Sequence, residues 1–367
     1  MHKTVPPFRA DTVGSLLRPA ALKAARASRL AGELSADGLR EIEDREIQKV
    51  IARQEEIGLE AVTDGEFRRS WWHFDFLEGL DGVEGYESIQ GIQFNGVQTK
   101  ARSVKVTGKL GFTSHPMIEH FKFLKANAKA MPKMTIPSPS LLHFRGGRNA
   151  IDKTVYPDME AFFDDLAEAY RKVVHAFADA GCRYLQLDDT VWAYLCSEEQ
   201  KNLVRQRGED PDTFARIYAK MINHAIADRP SDMTISMHIC RGNFRSTWIS
   251  EGGYEPVAET LFGELNIDGY FLEYDSARAG GFEPLRFVKP GTQNVVLGLV
   301  TTKTGELENA DNVKARIDEA AKYVSLDQLC LSPQCGFAST EEGNDLAESE
   351  QWAKLQLTVD IARDVWK

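Results

Sequence analysis

The chain is poor in cysteine, has no long apolar run, carries no excess of positive charge and contains no low-complexity segment. Five cysteines are spread over 367 residues. An odd, widely spaced set does not make a disulfide framework and fits reduced thiols in the cytoplasm. No apolar stretch approaches the ~18 residues of a membrane span. The opening, MHKTVPPFRADTVGS, lacks the apolar core of a secretory signal. Lys and Arg number 44 against 55 Asp and Glu, a net charge of −11, which argues against nucleic acid or an anionic membrane as a partner. There is no short internal repeat. No Gly-x-Gly-x-x-Gly follows the first predicted strand, which argues against an open dinucleotide-binding sheet. What remains, 43% hydrophobic and 27% charged, is ordinary globular composition with ample length for a large core.

The most informative stretch is residues 234–240, Thr-Ile-Ser-Met-His-Ile-Cys. It reads as a β-strand, in which alternate residues share a face. Ile235, Met237 and Ile239 make one face apolar. Thr234, Ser236, His238 and Cys240 make the other polar. An imidazole and a thiol two residues apart then point the same way, a geometry suited to zinc. Taken alone, the pair fits equally a buried His and a buried Cys that happen to alternate.

The rest of the chain alternates strands and helices. Strands are predicted at residues 8–15, 60–66, 133–140, 183–189, 234–240, 270–275, 294–300 and 328–336. Helices are predicted at 36–57, 157–180, 211–228, 255–263, 309–324 and 344–365, with Ser35 as an N-cap and Gly58 and Gly181 as stops. Eight strand–helix units predict an α/β fold, a single (β/α)8 TIM barrel spanning residues 1–367. Residues 67–131, with Trp71, Trp72 and a hairpin-like run FNGVQTKARSVKVTGKL, read as an insertion after the second strand.

Gly14, Ser15, Glu66, Asp188, His238, Cys240, Glu273 and Cys335 each fall at or just past a predicted strand end. In such a barrel that end is the active face, and packing alone would place apolar residues there. Cys335 and Glu273 therefore join His238 and Cys240 as expected zinc ligands. For Glu273 the alternative is an ion pair with Arg278 or Lys303. Cys182, Cys196 and Cys330 are assigned to packing, Cys330 against the helices because its parity opposes that of Cys335. Two thiolates make zinc a poor activator of water but a good binder of a substrate thiol, whose proton is lost on binding. The predicted chemistry is S-alkylation.

These residues resemble the cobalamin-independent methionine synthase family, in its catalytic barrel and single-barrel homologues. The resemblance runs from end to end. It is carried by Val13-Gly14-Ser15, Asp64-Gly65-Glu66, Leu187-Asp188-Asp189, His238-x-Cys240, Glu273 in FLEYDSARAGGFEPL and Cys335 in SPQCGF. It implies zinc on His238, Cys240, Glu273 and Cys335. It also implies homocysteine binding by the turn at Gly14 and Ser15 and by Glu66 and Asp188, the two carboxylates taking the substrate ammonium and serving as catalytic residues. The implied enzyme transfers a methyl group from methyltetrahydrofolate or another donor to homocysteine, in methionine biosynthesis in the cytoplasm. Its partners are those small molecules; a homodimer is admitted and not required.

Three features depart from the family. Residues 300–306, VTTKTGE, lack the family's proton-donor His. The Glu that follows the Asp188 position falls near Tyr194, and the pterin-stacking Trp has only His143 or Phe144 in its neighbourhood. A second reading is therefore an alkyltransferase for another thiol, such as epoxyalkane:coenzyme M transferase. Its sulfonate would need a cation from among Arg18, Arg68, Arg69, Arg241 and Arg245. A non-catalytic zinc-storage protein is a third, and would need neither the carboxylate pair nor the Gly-Ser turn.

Overall fold

The computed structural model describes residues 3–89, 91–94, 96–99 and 101–367. Its centre is a parallel sheet of six strands, each hydrogen-bonded to the next in sequence. With the short strand β1 (Ala61–Val62) ahead of them, they are β2 (Met134–Pro137), β3 (Tyr184–Asp189), β4 (Thr234–Ile239), β5 (Gly269–Glu273), β6 (Asn294–Val300) and β7 (Leu329–Pro333). Helices Met159–Asp179, Pro211–Ile226, Ala310–Ala320 and Glu348–Val365 connect or follow them. Their apolar stripes pack on Leu185, Leu187, Ile235, Met237, Ile239, Leu272 and Leu297. Because the strands are parallel, all their C-terminal ends lie at one edge. No helix among the described residues is long and apolar enough to cross a membrane.

Local signals explain the boundaries. Helix Ala36–Ile57 begins where the Ser35 side chain accepts the Gly38 N–H, and ends at Gly58 with φ 95°. Helix Met159–Asp179 is capped by Asp158, whose side chain accepts the Glu160 N–H. After β5, where the sequence marks no helix, none forms. The chain runs instead through short 3-10 turns at Ala277–Ala279 and Glu283–Phe287, consistent with glycines and a proline in GGFEP. The stretch predicted at 255–263 is a 3-10 turn followed by a π-turn, Glu259–Glu264.

Two predicted strands shrink. Residues 8–15 make no strand; Ala10 forms one parallel bridge to Leu331, with Asp11 N–H donating to Leu331 O and Leu331 N–H to Arg9 O. On the other side neighbouring side chains occupy the carbonyls a second ladder would use. Lys133 Nζ donates to Thr12 O, Gln186 Nε2 to Val13 O and Thr63 Oγ1 to Gly14 O. The strand predicted at 60–66 is only Ala61–Val62, paired in parallel with Met131–Pro132.

The segment between β1 and β2 also differs from expectation. Its long strand, Arg102–Gly111, pairs antiparallel with Asp81–Glu87, and not within the run 94–110. Among the described residues of that run, Val97–Gln98 pairs with Gln93–Phe94 at its start; Asn95 and Lys100 lie outside the described residues. DGVEGYE carries too much charge and glycine to read as a strand, yet Arg102 clamps Glu78 just before it with bonds of 2.9 and 2.6 Å.

Away from the helices, the sheet buries a second small apolar cluster of Val13, Phe271, Val296 and Cys330. Cys330 thus lies on the face opposite the helices, correcting its expected place. The strand ends at Pro333, so its alternation does not carry through to Cys335. Beside this cluster Lys133 and Asp11, both fully buried, pair at 3.1 Å, and Tyr184 donates to Asp11 Oδ2 at 2.8 Å. Burial pulls the Lys133 ammonium below its ordinary range, against the pull of Asp11. Lys133→Met would leave the Asp11 charge buried and unpaired. It should destabilise the fold by about 3–5 kcal/mol in urea unfolding, and Asp11→Leu added to it should recover part of the loss.

Candidate metal centre and substrate pocket

The strand β4 turns His238 to the same face as Asp188 and Phe271, its register neighbours on β3 and β5. Cys240 follows the last residue of β4, fixed by its N–H to Asp189 O at 2.8 Å. Glu273 closes β5, and its N–H donates to the Tyr254 hydroxyl at 3.0 Å. Cys335 sits in the loop after β7, where Gln334 N–H reaches Val300 O at 2.7 Å and Phe337 N–H reaches Ser15 O at 2.9 Å. Gly336 is needed there: a Cβ would stand 1.9 Å from Ser15 Oγ.

The four expected ligands are brought together. One ligand atom from each of His238, Cys240, Glu273 and Cys335 lies within 4.8 Å of every other. The two sulfurs are 3.5 Å apart. Glu273 is fully buried, and Cys240, at 8% exposure, is the most open of the set. Both ring nitrogens of His238 are buried. Burial lowers the imidazole's pKa, but interaction with the neighbouring Cys335 outweighs it and the net shift is upward. Two thiols, an imidazole and a carboxylate suit a tetrahedral zinc ion, so the residues fit the metal.

Without a cation the cluster is electrostatically tense. The pKa of Cys240 is pushed well up by Cys335 beside it. Donation from Cys240 holds Cys335 well below the ordinary thiol range. Burial and the neighbouring Cys335 raise Glu273. Glu273 also has partners outside the cluster: Oε1 accepts the Arg241 N–H at 3.0 Å, and Oε2 lies 3.4 Å from Arg278 Nη2. The ion pair with Arg278, the alternative expected for Glu273, is present, and it leaves the carboxylate within the cluster. Arg278 is closer to Asp275, at 2.9 Å.

Above the cluster opens a pocket lined by Ser15, Glu66, Asp188, His238, Cys240 and Cys335 among others. Glu66 has φ 59°, a strained backbone for a side chain of its size, held by its N–H to Asp64 Oδ1 at 2.8 Å. Its Oε1 accepts Thr135 Oγ1 at 2.8 Å, and Arg69 Nη1 lies 3.5 Å from Oε2. Gly14 has φ 141°, and a Cβ there would meet the Thr135 methyl at 2.8 Å. Asp188 takes a bond from Gln186 Nε2 at 2.7 Å. Burial, then the nearby Glu66, pushes its carboxyl up to about 7. Two carboxylates facing one pocket are the complement of an ammonium group.

None of Arg18, Arg68, Arg69, Arg241 and Arg245 lines this pocket. The Arg18 and Arg69 side chains are spent on the backbone and on Thr135, and Arg68 on Glu43 and Asp44. Trp72, Phe94, Arg145, Tyr194 and Asn243 also line it, and the sequence did not place them there. Phe94 comes from the short strand Gln93–Phe94, Tyr194 from the short helix Val191–Tyr194 and the others from loops, with no shared spacing. The pair Trp71-Trp72 and the position of Tyr194 were the available signals, and the Trp72 N–H to Ser339 O bond, 3.0 Å, ties Trp72 to the loop after Cys335. A larger open cleft of about 780 Å³ adjoins, walled by Ile92, Phe94, Arg102, Phe144, Arg145 and Trp248 among others.

A family model described as the catalytic domain of cobalamin-independent synthase matches residues 126–364. The uncharacterized protein YxjH of Bacillus subtilis is 61% identical, over 98% of this chain and 95% of its own. A crystal structure described as a putative vitamin B12-independent methionine synthase from Listeria monocytogenes superposes with a TM-score of 0.82 at 50% identity, covering 100% of both chains. A B12-independent methionine synthase from Shewanella, in complex with selenomethionine, superposes with a TM-score of 0.71 over 97% of each chain. At 20% identity that likeness shows the fold alone. By the match across residues 126–364 and by relatives this similar, the chain belongs to the cobalamin-independent methionine synthase family.

Proposed function

We propose that this chain is a zinc-dependent thiol methyltransferase. It moves a methyl group from methyltetrahydrofolate, or another methyl donor, to the sulfur of homocysteine and forms methionine in the cytoplasm. The observation that carries the reading is the cluster of His238, Cys240, Glu273 and Cys335 at the floor of a pocket faced by Glu66 and Asp188. Zinc held there would supply the loss of the substrate thiol's proton near neutral pH. The chain's own residues do the rest. Glu66 and Asp188 take the substrate ammonium and so orient the sulfur toward the cluster. Glu273, bonded to Arg241 N–H and facing Arg278, would be one of the residues holding the metal, and those two partners would remain to neutralise its carboxylate. The pocket walls exclude water from the sulfur.

We infer also that the strands make one (β/α)8 barrel over residues 1–367, with residues 67–131 inserted after its second strand. The Ala10–Leu331 bridge at one edge of the sheet and the pairing of Ala61–Val62 with Met131–Pro132 at the other support this. All four ligand groups and both carboxylates come from one chain, so the reading requires no second copy.

Two experiments test the reading. Protein purified with zinc should hold one ion per chain by elemental analysis, and Cys240→Ser and Cys335→Ser should each lose most of it. Full retention in both variants refutes the ligand set. Asp188→Asn should keep its zinc and bind homocysteine about tenfold more weakly, the loss of one charge-assisted hydrogen bond. Its affinity for 3-mercaptopropionate, which has no amine, should change little. Equal losses for the two thiols would favour the alternative, alkyl transfer to a thiol without an amine, such as coenzyme M.

A further inference from the structure

Among the described residues, Arg145 is the one Lys or Arg that lines the pocket above the cysteines, and it lines the outer cleft as well. It stands where the two spaces meet, just after helix Ser140–Phe144. Its position is set from behind. Arg207 donates to Arg145 O at 2.9 Å and to Phe144 O at 3.0 Å. Its guanidinium lies 5.3 Å from the centre of the Tyr194 ring, and Nη2 donates to the Tyr194 hydroxyl at 3.3 Å. Nε is buried without a partner.

The other cations of the cleft are already engaged. Arg102 is held by both oxygens of Glu78. Arg207 is committed to the two carbonyls and lies 3.7 Å from Glu209. No carboxylate lies within 4.0 Å of Arg145 among the described ion pairs. A half-buried guanidinium with a neutral phenol for its partner retains most of its capacity to bind an anion, and its planar fork matches a carboxylate or phosphate.

We propose that Arg145 is the specificity-determining residue for the alkyl donor, binding an anionic group of that second substrate at the mouth of the thiol pocket. This rests on the methyltransferase reading above. The thiol's amine has Glu66 and Asp188 deeper in the pocket, whereas Arg145 reaches the cleft, whose volume of about 780 Å³ suits a cofactor-sized molecule. Phe94, Phe144 and Trp248 on the same walls offer apolar surface to a flat ring, and the arginine supplies the charge that selects among such rings. The transfer balances: the methyl carbon bonds to sulfur, the pair of the broken bond stays on the donor, and the donor takes up a proton from solvent.

The test compares wild type, Arg145→Gln and Arg145→Lys, all zinc-loaded. One readout is binding of 5-methyltetrahydrofolate by tryptophan fluorescence, which needs no turnover. The Gln variant should bind it about tenfold more weakly and the Lys variant should fall between, as expected for loss of a charge-assisted contact. The other readout is methyl transfer to homocysteine from 5-methyltetrahydrofolate and from methyl iodide, which has no charge to recognise. In the Gln variant KM for the folate should rise about tenfold, well beyond any change in the methyl iodide rate or the homocysteine KM. Equal folate affinity in wild type and the Gln variant, absence of binding included, overturns the proposal. So does a rise in the homocysteine KM alone, or saturation by coenzyme M that depends on Arg145. A protein that binds folate through Arg145 yet transfers from neither donor would sustain the role of Arg145 and contradict the methyltransferase reading instead.

Discussion

Everything at the working edge of this protein depends on holding two thiols, a carboxylate and an imidazole together out of water. Three of the four groups become negative when they ionise, and all four ligand atoms fit within 4.8 Å. Close-packed like charges in a medium of low polarity repel strongly. The chain resists this with rigid anchors. Cys240 is fixed by a backbone bond to β3, Glu273 by Tyr254, and Cys335 by the contact of its loop with the Ser15 turn. The tension shows in the thiols, whose pKa values are driven apart, Cys240 up and Cys335 down. A divalent cation relieves all of these at once, and this is the physical reason the cluster reads as a metal centre.

The same demand shapes the surroundings. Glycine stands where the loops must touch: Gly336 against Ser15, and Gly14 against Thr135. Glu66 accepts a left-handed backbone to face the pocket, steadied by Thr135 and Arg69. Strain of this kind persists where neighbouring contacts fix it. The segment between β1 and β2 contributes from outside. Its strands wall the cleft, while Trp72 closes the pocket and ties that segment to the loop after Cys335.

The sheet and the cluster were legible because both rest on short-period rules. Alternation placed His238 and Cys240 on one face, and the strand-end rule gathered Glu66, Asp188, Glu273 and Cys335. Where a segment bonds through side chains, periodicity misleads: residues 8–15 look like a strand, but Lys133, Gln186 and Thr63 occupy their carbonyls. Cys330 was misplaced because parity was carried to Cys335 across the strand end at Pro333, a residue that cannot donate to a sheet ladder. Arg145, Phe94 and Asn243 were illegible. They reach the pocket from two loops and a two-residue strand brought together by tertiary packing, which leaves no spacing to read.

The central claim is that the substrate's sulfur joins the sulfurs of Cys240 and Cys335 at one metal. X-ray absorption at the zinc edge measures this directly on the zinc-loaded protein, before and after homocysteine is added. The account predicts two sulfur ligands in the resting protein and three once the thiol is present. A sulfur count that does not change on adding saturating homocysteine would contradict it.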